Sequence, residues 1–213
     1  MLKCVIFDMD GTIADTVPLC IASFRGSIEA LSGRTLSDRE IINTFGPSEE
    51  GTIASFLPNQ FNEGLDLYLK YYEQMHAEMC PEAFPGMSQL FLNLRRNGLK
   101  IALVTGKGEK SLAISMRILN LNDSFECIKT GSPAGPNKSE NISDVLKILN
   151  ISSREAVYVG DAASDIDAAR DAGVSIISAA WANTADIEAI IEKQPDKICY
   201  SVRELFEYFL GGD

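Results

Sequence analysis

"VIFDMDGTIADT" (residues 5–16) carries an apolar run straight into two aspartates, Asp8 and Asp10, one residue apart and followed by Gly11 and Thr12. Carboxylates that close repel each other unless positive charge sits beside them. The run that delivers them, "KCVIF" (3–7), is continuous rather than alternating, the pattern of a strand covered on both faces. Four further runs share it: "KIALVT" (100–105), "FECIKT" (125–130), "AVYVG" (156–160) and "VSIIS" (174–178). Helical patterns separate them: "SQLFLNLRRNG" (88–98), closing on Gly98, "KSLAISMRILN" (110–120), "ENISDVLKILN" (140–150) and "SDIDAARDAG" (164–173). This alternation predicts an α/β fold, a parallel sheet with helices on both faces.

The first strand breaks the rhythm. From Val17 to Met79 only helical stretches occur, and the sheet pattern resumes after "FPGM" (84–87), whose Pro85 and Gly86 mark a loop. The expected organisation is a core of residues 1–14 and 84–213 with an all-helical cap, 15–83, inserted after the first strand. A module inserted there hangs over the acidic loop, where a lid belongs.

The chain has 213 residues, 46% hydrophobic and 23% charged, enough for a large core. Its net charge of −11 disfavours nucleic acid and anionic membranes as partners, so any anionic substrate needs locally placed cations. Five scattered cysteines and one histidine exclude zinc-site spacing and argue against a disulfide framework. No apolar stretch approaches a membrane span, and "MLKCVIF" runs directly into charges rather than reading as a signal peptide. The expected location is the cytoplasm; the choice between monomer and homodimer stays open.

In a parallel sheet, ligands bind beyond the carboxyl ends of the strands. The first strand ends in Asp8 and Asp10, the second in Thr105 and Gly106, the fourth in Asp161 with Asp165 one turn on, and Lys138 opens a helix between the third and fourth. Aspartates without histidine or thiolate suit Mg²⁺, which takes carboxylates, waters and substrate oxygens. Thr105, the Gly106 amide and Lys138 supply donors and charge for a phosphoryl group, and an aspartate beside that phosphorus is a candidate nucleophile.

"DMDGT", "VTGK", the "PNKSE" lysine and "GDAASD" resemble, in chain order, the four motifs of the haloacid dehalogenase-like hydrolase superfamily. "FPGM", "SDIDAARDAGV" and "ISAAW" look like its phosphoglycolate phosphatase-like group. The resemblance implies a Rossmann-like core with a helical cap, and a Mg²⁺-dependent phosphatase acting on a small phosphorylated metabolite. By that resemblance Asp8 attacks phosphorus, and Asp10 protonates the leaving oxygen and then takes a proton from the hydrolytic water. Thr105 and Lys138 hold the phosphoryl oxygens, with the Met9 and Gly106 amides beside them. Mg²⁺ sits between Asp8, the Asp10 backbone carbonyl and Asp161, with Asp165 bound directly or one shell out. Dehalogenase relatives lack the second aspartate, and sugar phosphomutase relatives usually carry valine where Thr12 stands. The rival readings are a phosphomutase of the same fold and a noncatalytic phospho-ligand-binding regulatory protein. "TGK" departs from the frequent "TNK", and "GSPAGPN" is a looser lead-in to Lys138 than usual.

Other features read as structural. "GSPAGPNKS" (131–139) lacks the glycine directly before lysine that a phosphate-binding loop needs, and "GKGEKS" (106–111) lacks the third glycine of a dinucleotide fingerprint. Asp15 reads as a helix N-cap, His76 as a surface or packing histidine, and Trp181 with Tyr68, Tyr71 and Tyr72 as packing. Arg25, Arg34, Arg39 and Lys70 read as solvated helix faces, and "FGPSE" (45–49) as a loop placed to face the site.

Overall fold

In the computed structural model, which describes residues 1–211, the strands sort their side chains by parity. β1 (Cys4–Phe7), β2 (Lys100–Val104), β3 (Cys127–Lys129), β4 (Ala156–Gly160), β5 (Ser175–Ala179) and β6 (Lys197–Cys199) form one parallel sheet in the order β3-β2-β1-β4-β5-β6. Val5, Phe7, Ile101, Leu103, Val157 and Val159 join one apolar layer with α5 (Met87–Arg96), α6 (Glu109–Ile118) and α10 (Val202–Leu210). Their neighbours Cys4, Ile6, Ala102, Val104, Ala156 and Tyr158 join the opposite layer with α7 (Lys138–Leu149), α8 (Ala163–Asp171) and α9 (Ile187–Lys193). Successive side chains point to opposite faces, and both faces are roofed. That is why the strands read as unbroken apolar runs. The fold is α/β and Rossmann-like, as expected.

Some boundaries differ. β6, with α9 and α10, lies beyond the predicted elements. "KIC" is three residues long, too short to show a period, and it gains its place by pairing Ile177 with Lys197 and Ala179 with Cys199. β3 shrinks to three residues at the sheet edge.

Between β1 and α5 lie four helices, α1 (Val17–Ser32), α2 (Asp38–Ile42), α3 (Glu49–Phe56) and α4 (Phe61–Met79). They share a third apolar cluster built on Leu19, Phe24, Ile28, Ile53, Leu57, Tyr68 and Tyr72. α1 opens at Thr16 with Pro18 in its first turn, where a missing N–H costs nothing. Asp15 is therefore not the N-cap; it lies one residue outside, and its Oδ1 is buried without a hydrogen-bond partner among the described residues. Tyr68 and Tyr72 are packing residues, as expected. Trp181 packs edge-on to Phe84 and donates its indole N–H to the Thr12 carbonyl. Arg25 pairs with Asp38, and Arg34 lies over the Phe56 ring, so neither reaches the strand ends. All five cysteines are free, and no helix among the described residues is long and apolar enough to cross a membrane.

Candidate active site

The strand order reverses between β1 and β4: from β1 the chain builds outward through β2 to β3, then returns beside β1 as β4. A crevice opens at such a switch point beyond the strand ends. The Asp8 N–H donates to the Val159 carbonyl at 2.9 Å, which levels the end of β1 with that of β4. Gly11, at φ 75°, turns the chain back under Asp161; a Cβ there would lie 2.1 Å from Asp161 Oδ2. Only glycine tolerates both the turn and that approach. Thr12 Oγ1 then donates to Asp161 Oδ1 at 3.3 Å.

Asp8, Asp161 and Asp165 are all buried and bring one carboxylate oxygen each to within 4.8 Å of one another. One ammonium faces them. Lys138 is the first residue of α7, and its Nζ lies 3.1 Å from Asp8 Oδ2 and 2.5 Å from Asp165 Oδ1. The other oxygen of Asp165 accepts the Ala162 N–H at 3.1 Å. Burial pushes the Asp8 carboxyl up to about 7 against the pull of Lys138, with Asp165 and Asp10 adding repulsion. Burial, then Asp165 and Asp8, hold Asp161 well above the usual carboxylate range. Burial opposes the charge on Lys138, yet Asp165 and Asp8 keep it protonated.

Three acids against one base leave excess negative charge, and Asp8 Oδ1 is buried with no hydrogen-bond partner among the described residues. Such an oxygen is costly unless something electropositive meets it. An all-oxygen donor set with an orphaned carboxylate oxygen fits a hard divalent cation.

Asp10 has different surroundings. Its Oδ1 accepts from Thr16 Oγ1 at 2.5 Å and from Lys107 Nζ at 3.0 Å. Burial alone would raise it, but Lys107 and Thr16 hold it below the usual carboxylate range. Its side chain lies outside the acidic triad; only the expectation of a backbone contact to metal concerns it.

Thr105 is fully buried at the end of β2, where its Oγ1 accepts the Lys107 N–H at 3.2 Å. Gly106 sits against Lys138, whose Cε is 4.0 Å from where a Gly106 Cβ would be. The Met9 side chain is fully buried in the core, turned away from the crevice. The residues expected from the strand ends therefore converge on one edge, Lys138 included despite its loose lead-in.

Three neighbours were not assigned from sequence. Lys107, the lysine of "VTGK", is 2% exposed. Glu49, at the start of α3 and 7% exposed, accepts from the Gly108 N–H at 2.5 Å and from the Ser111 hydroxyl. Cys20 of α1 lies 3.3 Å from Lys107 Nζ, and burial pushes its thiol up to about 12, so it stays neutral. The "FGPSE" loop does face the core: Ser48 N–H donates to the Ser132 carbonyl at 2.9 Å. His76 is a packing histidine rather than a surface one, fully buried with Nε2 3.0 Å from Ser115 Oγ of α6.

An acid cluster and an ammonium at the switch point of a parallel sheet, with a helical insertion beside them, mark an α/β protein with a site for a cation and an anion. The sequence profile of the haloacid dehalogenase-like hydrolases matches residues 5–179, and the chain belongs to that family. It is 27% identical to the pyrophosphatase PpaX of Bacillus pumilus over 100% of this chain and 98% of that protein. It is 26% identical to a phosphoglycolate phosphatase of Pseudomonas savastanoi pv. phaseolicola over 99% of this chain and 81% of that one. A haloacid dehalogenase-like family hydrolase of Streptococcus pneumoniae superposes with a TM-score of 0.78 at 25% identity, covering 98% of each chain.

Proposed function

We propose that this chain is a Mg²⁺-dependent phosphatase that hydrolyses a small phosphorylated metabolite through a phosphoaspartate on Asp8. The observation that carries the reading is the buried triad of Asp8, Asp161 and Asp165 set against Lys138, with one Asp8 oxygen left free. Asp8, Asp161, Asp165 and the Asp10 carbonyl would hold Mg²⁺, which when bound neutralises the carboxylates and the phosphoryl oxygens. Lys138, Thr105 and the Met9 and Gly106 amides orient the phosphoryl group and spread its charge.

An Asp8 oxygen attacks phosphorus as the bond to the leaving oxygen breaks, and that oxygen takes a proton from Asp10. Asp10 then removes a proton from water, whose oxygen bonds to phosphorus as the Asp8–phosphorus bond breaks. Lys107 and Thr16 keep Asp10 ionised in the resting site. The negative charge of an entering phosphate favours its protonated form, the form the first step requires. Residues 15–83 serve as the cap over a core of 1–14 and 84–213, excluding bulk water when seated.

The relatives are named for pyrophosphate and phosphoglycolate, both small phosphorylated compounds, which supports a small metabolite here. A phosphate-release panel of pyrophosphate, phosphoglycolate, sugar phosphates and nucleotides, with Mg²⁺, tests this. Release from at least one compound, lost by a factor of ~10³ or more in Asp8→Asn, is expected. No release from any compound would sink the reading, and isomerisation of a hexose 1-phosphate with little free phosphate would replace it with a mutase.

A further inference from the structure

Glu49, Lys107 and Asp10 form a line of charge running from the helical insertion to the end of β1. Lys107 Nζ lies 3.0 Å from Asp10 Oδ1 and 3.7 Å from Glu49 Oε1. The same ammonium sits 3.3 Å from Cys20 Sγ and 4.4 Å from the centroid of the Tyr72 ring. A buried ammonium persists only where its charge is matched on several sides. Glu49 comes from α3, Cys20 from α1 and Tyr72 from α4, so every partner except Asp10 belongs to the insertion. Lifting the insertion leaves Lys107 with Asp10 alone and opens it to water.

Glu49 is itself fixed. The Gly108 N–H and the Ser111 hydroxyl hold its carboxylate at the start of α6, directly beside the residue that follows Gly106. Lys107 does not duplicate Lys138, because Lys138 pairs with Asp8 and Asp165 whereas Lys107 pairs with Asp10 and Glu49.

We propose that Lys107 is a positioning residue that aims the Asp10 carboxyl at the leaving oxygen, and that Glu49 engages Lys107 only when the insertion is seated on the core. The proposal rests on the phosphatase reading above. It ties closure to proton transfer: an open site leaves Asp10 tied only to a hydrated Lys107, and a shut one holds it between a buried Lys107 and Thr16.

Leaving-group chemistry separates this role from simple phosphate binding. An alkoxide needs a proton as it departs, while p-nitrophenolate leaves without one, so misplacing Asp10 penalises alkyl phosphates selectively. Rates are measured on an alkyl monophosphate and on p-nitrophenyl phosphate with Mg²⁺, for wild type, Lys107→Met, Glu49→Gln and the double variant. Lys107→Met is expected to lower kcat on the alkyl ester ~100-fold and on the aryl ester by ~10-fold or less, with KM nearly constant. Glu49→Gln follows the same pattern more weakly, and the double variant is no slower than Lys107→Met, because the two act in series.

Equal losses on both esters, a loss confined to KM, or additive losses would overturn the proposal. Should Lys107→Met fail to fold, the alkyl-to-aryl comparison in Glu49→Gln decides the same point. Hydrogen exchange of the Gly108 amide gives a readout independent of turnover. Faster exchange in Glu49→Gln is expected, and unchanged exchange contradicts the engagement whether or not either ester is hydrolysed. Wild-type inactivity on both esters would count against the phosphatase reading alone, with the Gly108 amide still deciding the role of Glu49.

Discussion

Asp8 and Asp10 stand one residue apart, yet the fold places them in opposite electrostatic settings. Asp8 lies among carboxylates and is pushed up to about 7 by burial, while Asp10 lies against Lys107 and Thr16 and is held low. In metal-free protein this order is the reverse of what the proposed roles need: bound Mg²⁺ would favour ionised Asp8, and an entering phosphate favours protonated Asp10. The pairing of Lys138 with Asp165 as well as Asp8 bears on a variant. Asp165→Asn removes one acid and loosens the ammonium, so the Mg²⁺ concentration for half-maximal phosphate release is expected to rise ~10–100-fold; a magnesium titration checks it. Asp8 and Asp161 were legible because each follows its strand directly, and Asp10 because it lies two residues beyond Asp8. Lys107 and Glu49 were not. "VTGK" does not say which acid its lysine faces, and Glu49 meets Gly108 across 59 residues of chain through the seating of one helix on another. No spacing rule encodes such a contact.

The five runs that read as strands each contain a strand; in β1, β2, β4 and β5 burial on both faces leaves an uninterrupted apolar signature, while β3 is a short, partly exposed edge strand. The insertion was legible only as helical. Its helices carry amphipathic periodicity, but which faces meet the core depends on contacts such as Tyr72 and His76 with Ser115 of α6, made between distant elements. The segment after β3 is tightly fitted to the end of β2: a Cβ on Gly131 would lie 1.9 Å from the Gly106 carbonyl oxygen. Gly131→Ala is therefore expected to displace the Thr105–Gly106 turn, destabilise the protein by about 1–3 kcal/mol and depress phosphate release. Denaturant unfolding with a parallel activity assay measures both. An alanine variant with unchanged midpoint and rate would show that the turn has slack.

For the whole molecule, metal, protons and stability are linked through the triad. Asp8 and Asp161 have folded-state pKa values above their unfolded ones, so their contribution favours the fold at low pH. That contribution is lost as pH rises through about 7 in metal-free protein. A divalent cation needs the ionised forms and offsets that loss. The melting-temperature difference between Mg²⁺ and EDTA is expected to widen by about 3 °C or more from pH 6 to pH 8. His76, lowered by burial, titrates in the opposite sense. It packs on Ser115 and Tyr72 and so cancels in the difference. A gap that stayed constant or narrowed would contradict a metal site built on these acids. The net charge of −11 was legible as a demand for locally placed cations, and Lys138, beside Asp8 and Asp165, stands where such a cation is needed. The central claim is that Asp8 carries the phosphoryl group. Asp10→Asn, mixed with p-nitrophenyl phosphate, whose leaving group needs no proton, and quenched in acid, is expected to show one phosphate on the peptide containing Asp8, which borohydride reduces to homoserine at position 8. Phosphate on another residue, or turnover with no phosphorylated peptide in this variant or in wild type, would contradict it.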